Sequence, residues 1–191
     1  MKLCFATNNA HKLEEVQDLL GESFLLTTLR EIGCVEEIPE THDTIPENSF
    51  EKAEYIWEKY GINCFADDSG LEVDTLSGEP GVHSAYYGGP ERDANLNMDV
   101  LLKNLEGHKD LSARFICVIT LVIAGEYRQF EGVIEGTISR EKQGNHGFGY
   151  NPIFIPEGHD RTFAEMTMQE KSELSHRGRA FEKLKQYLLT L

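Results

Sequence analysis

The sequence predicts an α/β fold, a mixed central sheet with helices on both faces. Three observations predict it. Short apolar runs alternate with amphipathic helical patterns over the first third of the chain. The most apolar run, 112–124, is turned by Gly125-Glu126 and returns as a second long strand over 127–138, which places an antiparallel hairpin at the heart of the sheet. A chain of 191 residues that is 40% hydrophobic buries roughly 70% of its unfolded surface without any staple, so a single domain over 1–191 suffices.

Lys2 to Ala6 reads as a short strand. Thr7-Asn8-Asn9 breaks it before a helical pattern with Leu13, Val16, Leu19 and Leu20 on one face. Asn8 or Asn9 can cap that helix, and its free N–H groups with Lys12 in the first turn make an anion site. Lysine there runs against the helix dipole, which calls for an explanation. The Gly-rich cradle of a Walker loop is missing. Phe24 to Leu29 is a second strand, and Glu36 to Glu47 an acidic, Pro-punctuated loop that holds Glu40. Pro46 starts a helix whose buried stripe is Phe50, Ala53, Ile56, Trp57 and Tyr60, and Gly61 stops it. Asn48 and Lys52, four apart, share one face of that helix.

Cys64-Phe65-Ala66 is an apolar run that passes into the adjacent carboxylates Asp67 and Asp68. Aspartate is depleted inside strands, so the pair belongs at a strand mouth, with Ser69-Gly70 as the turn. Leu71-Glu72-Val73-Asp74 alternates as a half-buried strand. Adjacent strand residues point to opposite faces, so one aspartate faces a cleft while the other braces the loop. Hard oxygen pairs suit Mg²⁺; an Asp-rich turn capping backbone amides is the competing account.

Asp93 caps a helix with Leu96, Val100, Leu101 and Leu105 inward, and Arg114 is the only charge in the first strand of the hairpin. Gly144 to Tyr150 sets three glycines around Phe148 and Tyr150. An aromatic between glycines is either a stacking plate for a ligand or a core residue in a tight loop. Met168 to Leu174 and Ala180 to Leu191 are helical, the second burying Phe181, Leu184 and Leu188. Between them Lys171, His176 and Arg177 gather at a helix start that Ser175 can cap, which again suggests an anion or polar ligand.

With 33 acidic against 18 basic residues the formal charge is −15, which opposes nucleic-acid polymers as partners. A small phosphate ligand is compatible, because charge is screened over about 8 Å. No apolar run approaches the roughly 20 residues of a membrane span, and polar Thr7-Asn8-Asn9 comes too early for a signal peptide. Cys4, Cys34, Cys64 and Cys117 lack metal or disulfide spacing and read as buried free thiols in a reducing, cytoplasmic compartment.

Taken together, Thr7-Asn8-Asn9-Ala10-His11-Lys12, Glu47 to Ala53, Ala66-Asp67-Asp68-Ser69-Gly70-Leu71, Pro80 to Ala85, Gly147-Phe148-Gly149-Tyr150-Asn151-Pro152, and Lys171-Ser172 with Ser175-His176-Arg177-Gly178 resemble the inosine triphosphate pyrophosphatase family. The resemblance implies two lobes around an active-site cleft, a homodimer, and Mg²⁺-dependent hydrolysis of inosine, deoxyinosine or xanthosine triphosphate to the monophosphate and pyrophosphate. It implies that Thr7, Asn8, Asn9, Ala10, His11 and Lys12 bind the triphosphate with help from Lys52. It makes Asp68 the proton acceptor and a metal ligand, and Glu40 a candidate second ligand. Ser69 contacts substrate, and Phe148, Gly149, Tyr150, Asn151, Lys171, His176 and Arg177 bind the nucleoside.

Chemistry agrees with these assignments. In-line attack of water on the α-phosphorus needs positioning and charge neutralisation, which Lys12, Lys52 and Mg²⁺ supply. Asp67 beside Asp68 raises one of the two pKa values, and Asp67 or another carboxylate shares the proton work. Donors from His176 and Arg177 aimed at the 6-oxygen reject adenine by about 10⁴ or more. Two positions depart from the family: Asn151 stands where it usually has Asp, and Asn8 where it has a second Gly. A relative acting on modified pyrimidine or 7-methylguanine nucleotides, and a catalytically silent nucleotide-binding regulator, are the alternatives.

Overall fold

The computed structural model describes residues 2–21 and 24–191, and the side chains of all of these except Ala10, His11, Glu14, Glu15 and Asp18. Six strands form one mixed sheet in the order β2-β1-β3-β4-β5-β6. These are β1 (Lys2–Phe5), β2 (Leu25–Thr27), β3 (Cys64–Val73), β4 (Ser112–Ile123), β5 (Glu126–Ile138) and β6 (Phe154–Pro156). β1 runs parallel to both β2 and β3, whereas β5 and β6 are antiparallel. The helices are α1 (Ala10–Leu20), α2 (Ile45–Tyr60), α3 (Ala94–Asn104), α4 (Met168–Leu174) and α5 (His176–Leu188).

The chain divides into two compact units. Unit 1 holds 1–68, 117–132 and 177–191, and unit 2 holds 69–116 and 133–176. In unit 1 alternation along the strands sorts side chains onto two faces. Leu3, Phe5 and Phe65 pack with Val16 and Leu20 of α1 and Phe181, Leu184 and Leu188 of α5. Cys4, Ala6, Cys64 and Ala66 face the other way, onto Ala53 and Ile56 of α2. Helices thus cover both faces of the sheet in this unit. Unit 2 has its own core, in which Leu71, Val73, Leu101, Phe115, Tyr150, Phe154 and Phe163 meet.

Local signals account for most boundaries. Asn9 caps α1 through its side-chain oxygen, which accepts from the Lys12 N–H at 3.2 Å. Thr44 caps α2 and Gly61, at φ 62°, closes it with an N–H bond to the Trp57 carbonyl. Ala124 and Gly125, both at positive φ, make the tight turn between β4 and β5. All four cysteines are buried and free.

Four expectations need correction. β3 runs unbroken from Cys64 to Val73, so Asp67 and Asp68 lie mid-strand, with no turn at Ser69-Gly70; cations from α1, α2 and α5 compensate the intrinsic penalty of aspartate there. The buried face of α2 is Ile45, Asn48, Ser49, Lys52, Ala53 and Ile56, because its polar members find partners, while Phe50 and Trp57 are only half-buried. In α3, Asn97 and Met98 are buried and Leu96 is exposed; Asn97 turns inward to donate to the Ala85 carbonyl and accept from the Gly88 N–H. Lys171 sits in the last turn of α4, where the helix dipole favours a cation, and α5 begins at His176 rather than at Ala180.

Candidate active site

In unit 1 the cations converge on the two aspartates from opposite faces of the sheet. Asp67 shares the face of Phe65, and Lys12 Nζ lies 2.9 Å from its Oδ2. Arg177 Nε, from the first turn of α5, is 3.8 Å from the same oxygen. Asp68 shares the face of Ala66, and Lys52 Nζ reaches its Oδ1 at 3.5 Å. Lys52 also pairs with Glu40. Lysines from two helices and an arginine from a third thus meet three carboxylates, two of them consecutive on β3.

The balance between burial and nearby cations separates the two aspartates. Burial pushes the Asp67 carboxyl up, but Lys12, Arg177 and Lys52 more than reverse this and hold it below the usual range. Asp68 ends above the usual range, because burial outweighs the attraction of Lys52 and Lys12, and Glu40 and Asp67 add to the rise. The two values therefore split: burial, rather than the neighbouring carboxylate, is the largest cause of the rise at Asp68, and the cations cause the fall at Asp67. Burial also works against the Lys52 ammonium, yet Asp68, Glu40 and Asp67 together keep it above its ordinary value. Cys117, whose Sγ is 4.0 Å from Asp67 Oδ2, is pushed by burial to about 12 and is no nucleophile.

The loop that carries Glu40 is strapped to α2. The Asn48 carboxamide accepts from the His42 N–H at 2.9 Å and donates to the His42 carbonyl at 3.0 Å. Glu51 accepts from the N–H and hydroxyl of Thr41, both at 2.7 Å. Ser49 ties α2 to β3 by donating to the Ala66 carbonyl at 3.1 Å. Ahead of α1, Thr7 Oγ1 accepts from the Asn9 N–H at 3.1 Å. Asn8 has no positive φ, so nothing in its backbone needs the glycine usual there. The side chains of Ala10 and His11 lie outside the described residues.

Unit 2 carries most of the remaining candidates. Ser69 follows Asp68 on β3 and is half-buried. Phe148 is half-buried with Lys171 Nζ 5.2 Å from its ring centroid, while Tyr150 is a core residue whose hydroxyl donates to the Ser84 carbonyl. The core account thus holds for Tyr150, while Phe148 keeps part of its ring exposed. Asn151 is buried; Gly147 has φ 79° and a Cβ on it would lie 2.0 Å from Asn151 Nδ2, so a side chain at 147 would be strained and would displace the Asn151 carboxamide. His176 stacks on Phe115 at 4.7 Å between centroids. Arg177, the next residue, turns instead to Asp67, because successive helical side chains point about 100° apart.

The family model described as the Ham1 family matches residues 3–187. The chain belongs to the Ham1 family. Among similar proteins, a dITP/XTP pyrophosphatase of Flavobacterium johnsoniae is 50% identical and covers 96% of each chain. One of Bacillus subtilis is 42% identical, over 96% of this chain and 94% of its own. The solved HAM1 protein of Coxiella burnetii is 38% identical and superposes with a TM-score of 0.93 over 100% of both chains. The Ham1 protein of Staphylococcus aureus is 33% identical with a TM-score of 0.92, covering 100% of this chain and 99% of its own. The resemblance read from the motifs and the mixed α/β fold are therefore borne out.

In this Ham1 chain the donor set fits a hard divalent cation. Asp68 and Glu40 bring carboxylates to a shared ammonium from different elements, and Asp67 Oδ1 is a buried oxygen with no hydrogen-bond partner. Mg²⁺ takes one or two protein carboxylates and fills its shell with water and phosphate oxygens. No group of three or more His, Cys, Asp or Glu suited to a metal occurs among the described residues. Sequence reasoning missed the pairing of Arg177 with Asp67 and the straps from Asn48 and Glu51. For the straps a signal existed: polar residues at 48, 49 and 52 on the helix face that should have been apolar.

Proposed function

We propose that this chain hydrolyses non-standard purine nucleoside triphosphates, those of hypoxanthine and xanthine, to the monophosphate and pyrophosphate. The observation that carries the reading is the convergence of Lys12, Lys52 and Arg177 on adjacent carboxylates. Its support is a chain matched almost end to end by relatives named dITP/XTP pyrophosphatase.

Lys12 and Lys52 bind the triphosphate, with the Thr7 to His11 segment and the free N–H groups of α1 as further donors. Asp68 orients the attacking water and accepts its proton, a role that burial of its carboxyl favours and a cation held on the same carboxylate opposes. Asp67 has no exposed side-chain surface and is held ionised by cations, so it braces Lys12 rather than sharing the proton work. Mg²⁺, held by Asp68 and Glu40, would neutralise charge on the reacting phosphates. Phe148 with Lys171 offers a stacking face to the base, and Ser69, Gly149, Tyr150, Asn151 and His176 shape the nucleoside site. A donor at the 6-oxygen rejects adenine, whose amine would leave it unpaired, by about 10⁴.

Four buried free thiols suit a reducing cytoplasm, and no helix among the described residues is long and apolar enough to cross a membrane. A homodimer follows from the resemblance alone.

Pyrophosphate release from inosine triphosphate with Mg²⁺, set beside ATP, GTP and modified pyrimidine triphosphates, tests the reading. Preference for inosine or xanthosine triphosphate is expected. Preference for a modified pyrimidine, or binding without turnover, would replace it. Asp68→Asn should abolish turnover and spare much of the binding; full activity in that variant removes the role assigned to Asp68.

A further inference from the structure

We propose that Asn48 is a positioning residue that sets the place of the Glu40 carboxylate, and through it the affinity of the site for a divalent cation. The inference rests on Glu40 being a metal ligand, as in the proposed function.

Glu40 lies on a segment without regular secondary structure, and its side chain is 42% exposed. Nothing in such a segment's own backbone fixes a carboxylate where a cation needs it. The fixing comes from α2. Asn48 uses both ends of its carboxamide on one residue, His42, two positions after Glu40. Glu51 takes both donors of Thr41, the residue between. Lys52, the ammonium that Glu40 meets, is four residues from Asn48 on the same helix. Clamp and target therefore share one rigid element, and the segment's register against α2 decides where Glu40 arrives.

The residue type matters. Asn48 is 4% exposed, and its two bonds need an acceptor and a donor on one short planar group. Aspartate would keep the bond from the His42 N–H and set a carboxylate oxygen against the His42 carbonyl. Alanine would lose both bonds. Outer partners that orient metal ligands typically change metal affinity by about 10- to 100-fold when removed.

The test uses the full chain and Mn²⁺ alone, a paramagnetic stand-in for Mg²⁺ whose free fraction is read by electron paramagnetic resonance. Asn48→Ala should weaken Mn²⁺ binding by about tenfold or more. Glu40→Gln should weaken it at least as much, and the double variant should bind no worse than Glu40→Gln, because Asn48 acts through Glu40. In turnover of inosine triphosphate, Asn48→Ala should raise the Mg²⁺ concentration for half-activation by a similar factor. Its kcat should recover at saturating Mg²⁺. A general loss of structure would not be rescued by metal, and circular dichroism checks the fold.

Three results overturn the inference. These are an Asn48→Ala chain with unchanged Mn²⁺ affinity, effects of Asn48→Ala and Glu40→Gln that multiply in the double variant, and a wild-type chain that binds no Mn²⁺ at millimolar concentration. Should Asn48→Ala fail to fold, Glu51→Ala releases the neighbouring strap and must shift Mn²⁺ affinity in the same direction. Failure of the wild-type chain to hydrolyse inosine triphosphate would sink the proposed function, while the Mn²⁺ arm, which uses no nucleotide, still decides the role of Asn48.

Discussion

Asp67 and Asp68 are neighbours with opposite electrostatic fates, because strand alternation hands each to different helices. Asp67 is buried against Lys12 and Arg177, and removing one partner of a buried pair costs about 3–5 kcal/mol. Asp67→Asn should therefore lower the urea midpoint by a corresponding amount with an unchanged m-value. The sign with pH follows from the depressed value of Asp67. Its contribution is present above the ordinary aspartate pKa of about 3.9 and is lost as pH falls through the lower folded value. The gap between wild type and Asp67→Asn should accordingly close only in strong acid.

Asp68 behaves in reverse. Its raised value means that the stabilisation gained by its proton is present below the ordinary pKa and is lost as pH rises through the folded value. A bound divalent cation opposes that rise. The acid limb of kcat/KM should therefore move to lower pH as Mg²⁺ is increased, and a limb that stays put would separate Asp68 from the metal. Lys12, a cation placed against a helix dipole, marked an anion site in the sequence, and the structure gives it the Asp67 carboxylate as a partner. Arg177 carries the same signal at the start of α5, but that its partner is Asp67 was not legible, since the α5 pattern fixes the core face of Phe181 and Leu184 and says nothing of what lies over the first turn.

At the scale of elements, the helix of Lys12, the hairpin 112–138 and the stop at Gly61 were legible because each has a local cause: periodicity, a tight turn, a left-handed cap. β3 was misread as two strands for the same reason in reverse. Asp67-Asp68-Ser69-Gly70 carries turn chemistry, and what overrides it is a set of cations distant in sequence, invisible to local propensity. Gly136 shows the converse, a glycine whose cause is packing. It sits in β5 opposite Pro156 of β6, and a Cβ there would lie 2.3 Å from the Ile155 carbonyl oxygen and 2.6 Å from Phe154 Cζ. The carbonyl is backbone and cannot swing aside. Gly136→Ala should destabilise by about 1–3 kcal/mol through overpacking, read as a lower melting temperature. An unchanged melt would mean that the β5–β6 edge gives way freely.

For the whole molecule, the decisive number is the formal charge of −15, which has the same sign as a nucleoside triphosphate. The cationic cluster does not reverse it at a distance. Lys12, Lys52 and Arg177 face Asp67, Asp68 and Glu40, three charges of each sign, so the site is neutral when viewed from afar and selective only within contact range. The global field should therefore govern approach wherever screening is weak. At about 0.01 M ionic strength the screening length is about 30 Å, and at 0.15 M it is about 8 Å. Raising salt between these limits at fixed free Mg²⁺ should increase kcat/KM for inosine triphosphate several-fold, because the anionic substrate no longer meets the repulsion of the whole surface. The change should fall on KM, since charges in contact with the bound phosphates are screened far less, and kcat should hold. A fall in kcat/KM with added salt would mean instead that cations outside this cluster steer the substrate, and that the local field, rather than the total, sets the rate of capture.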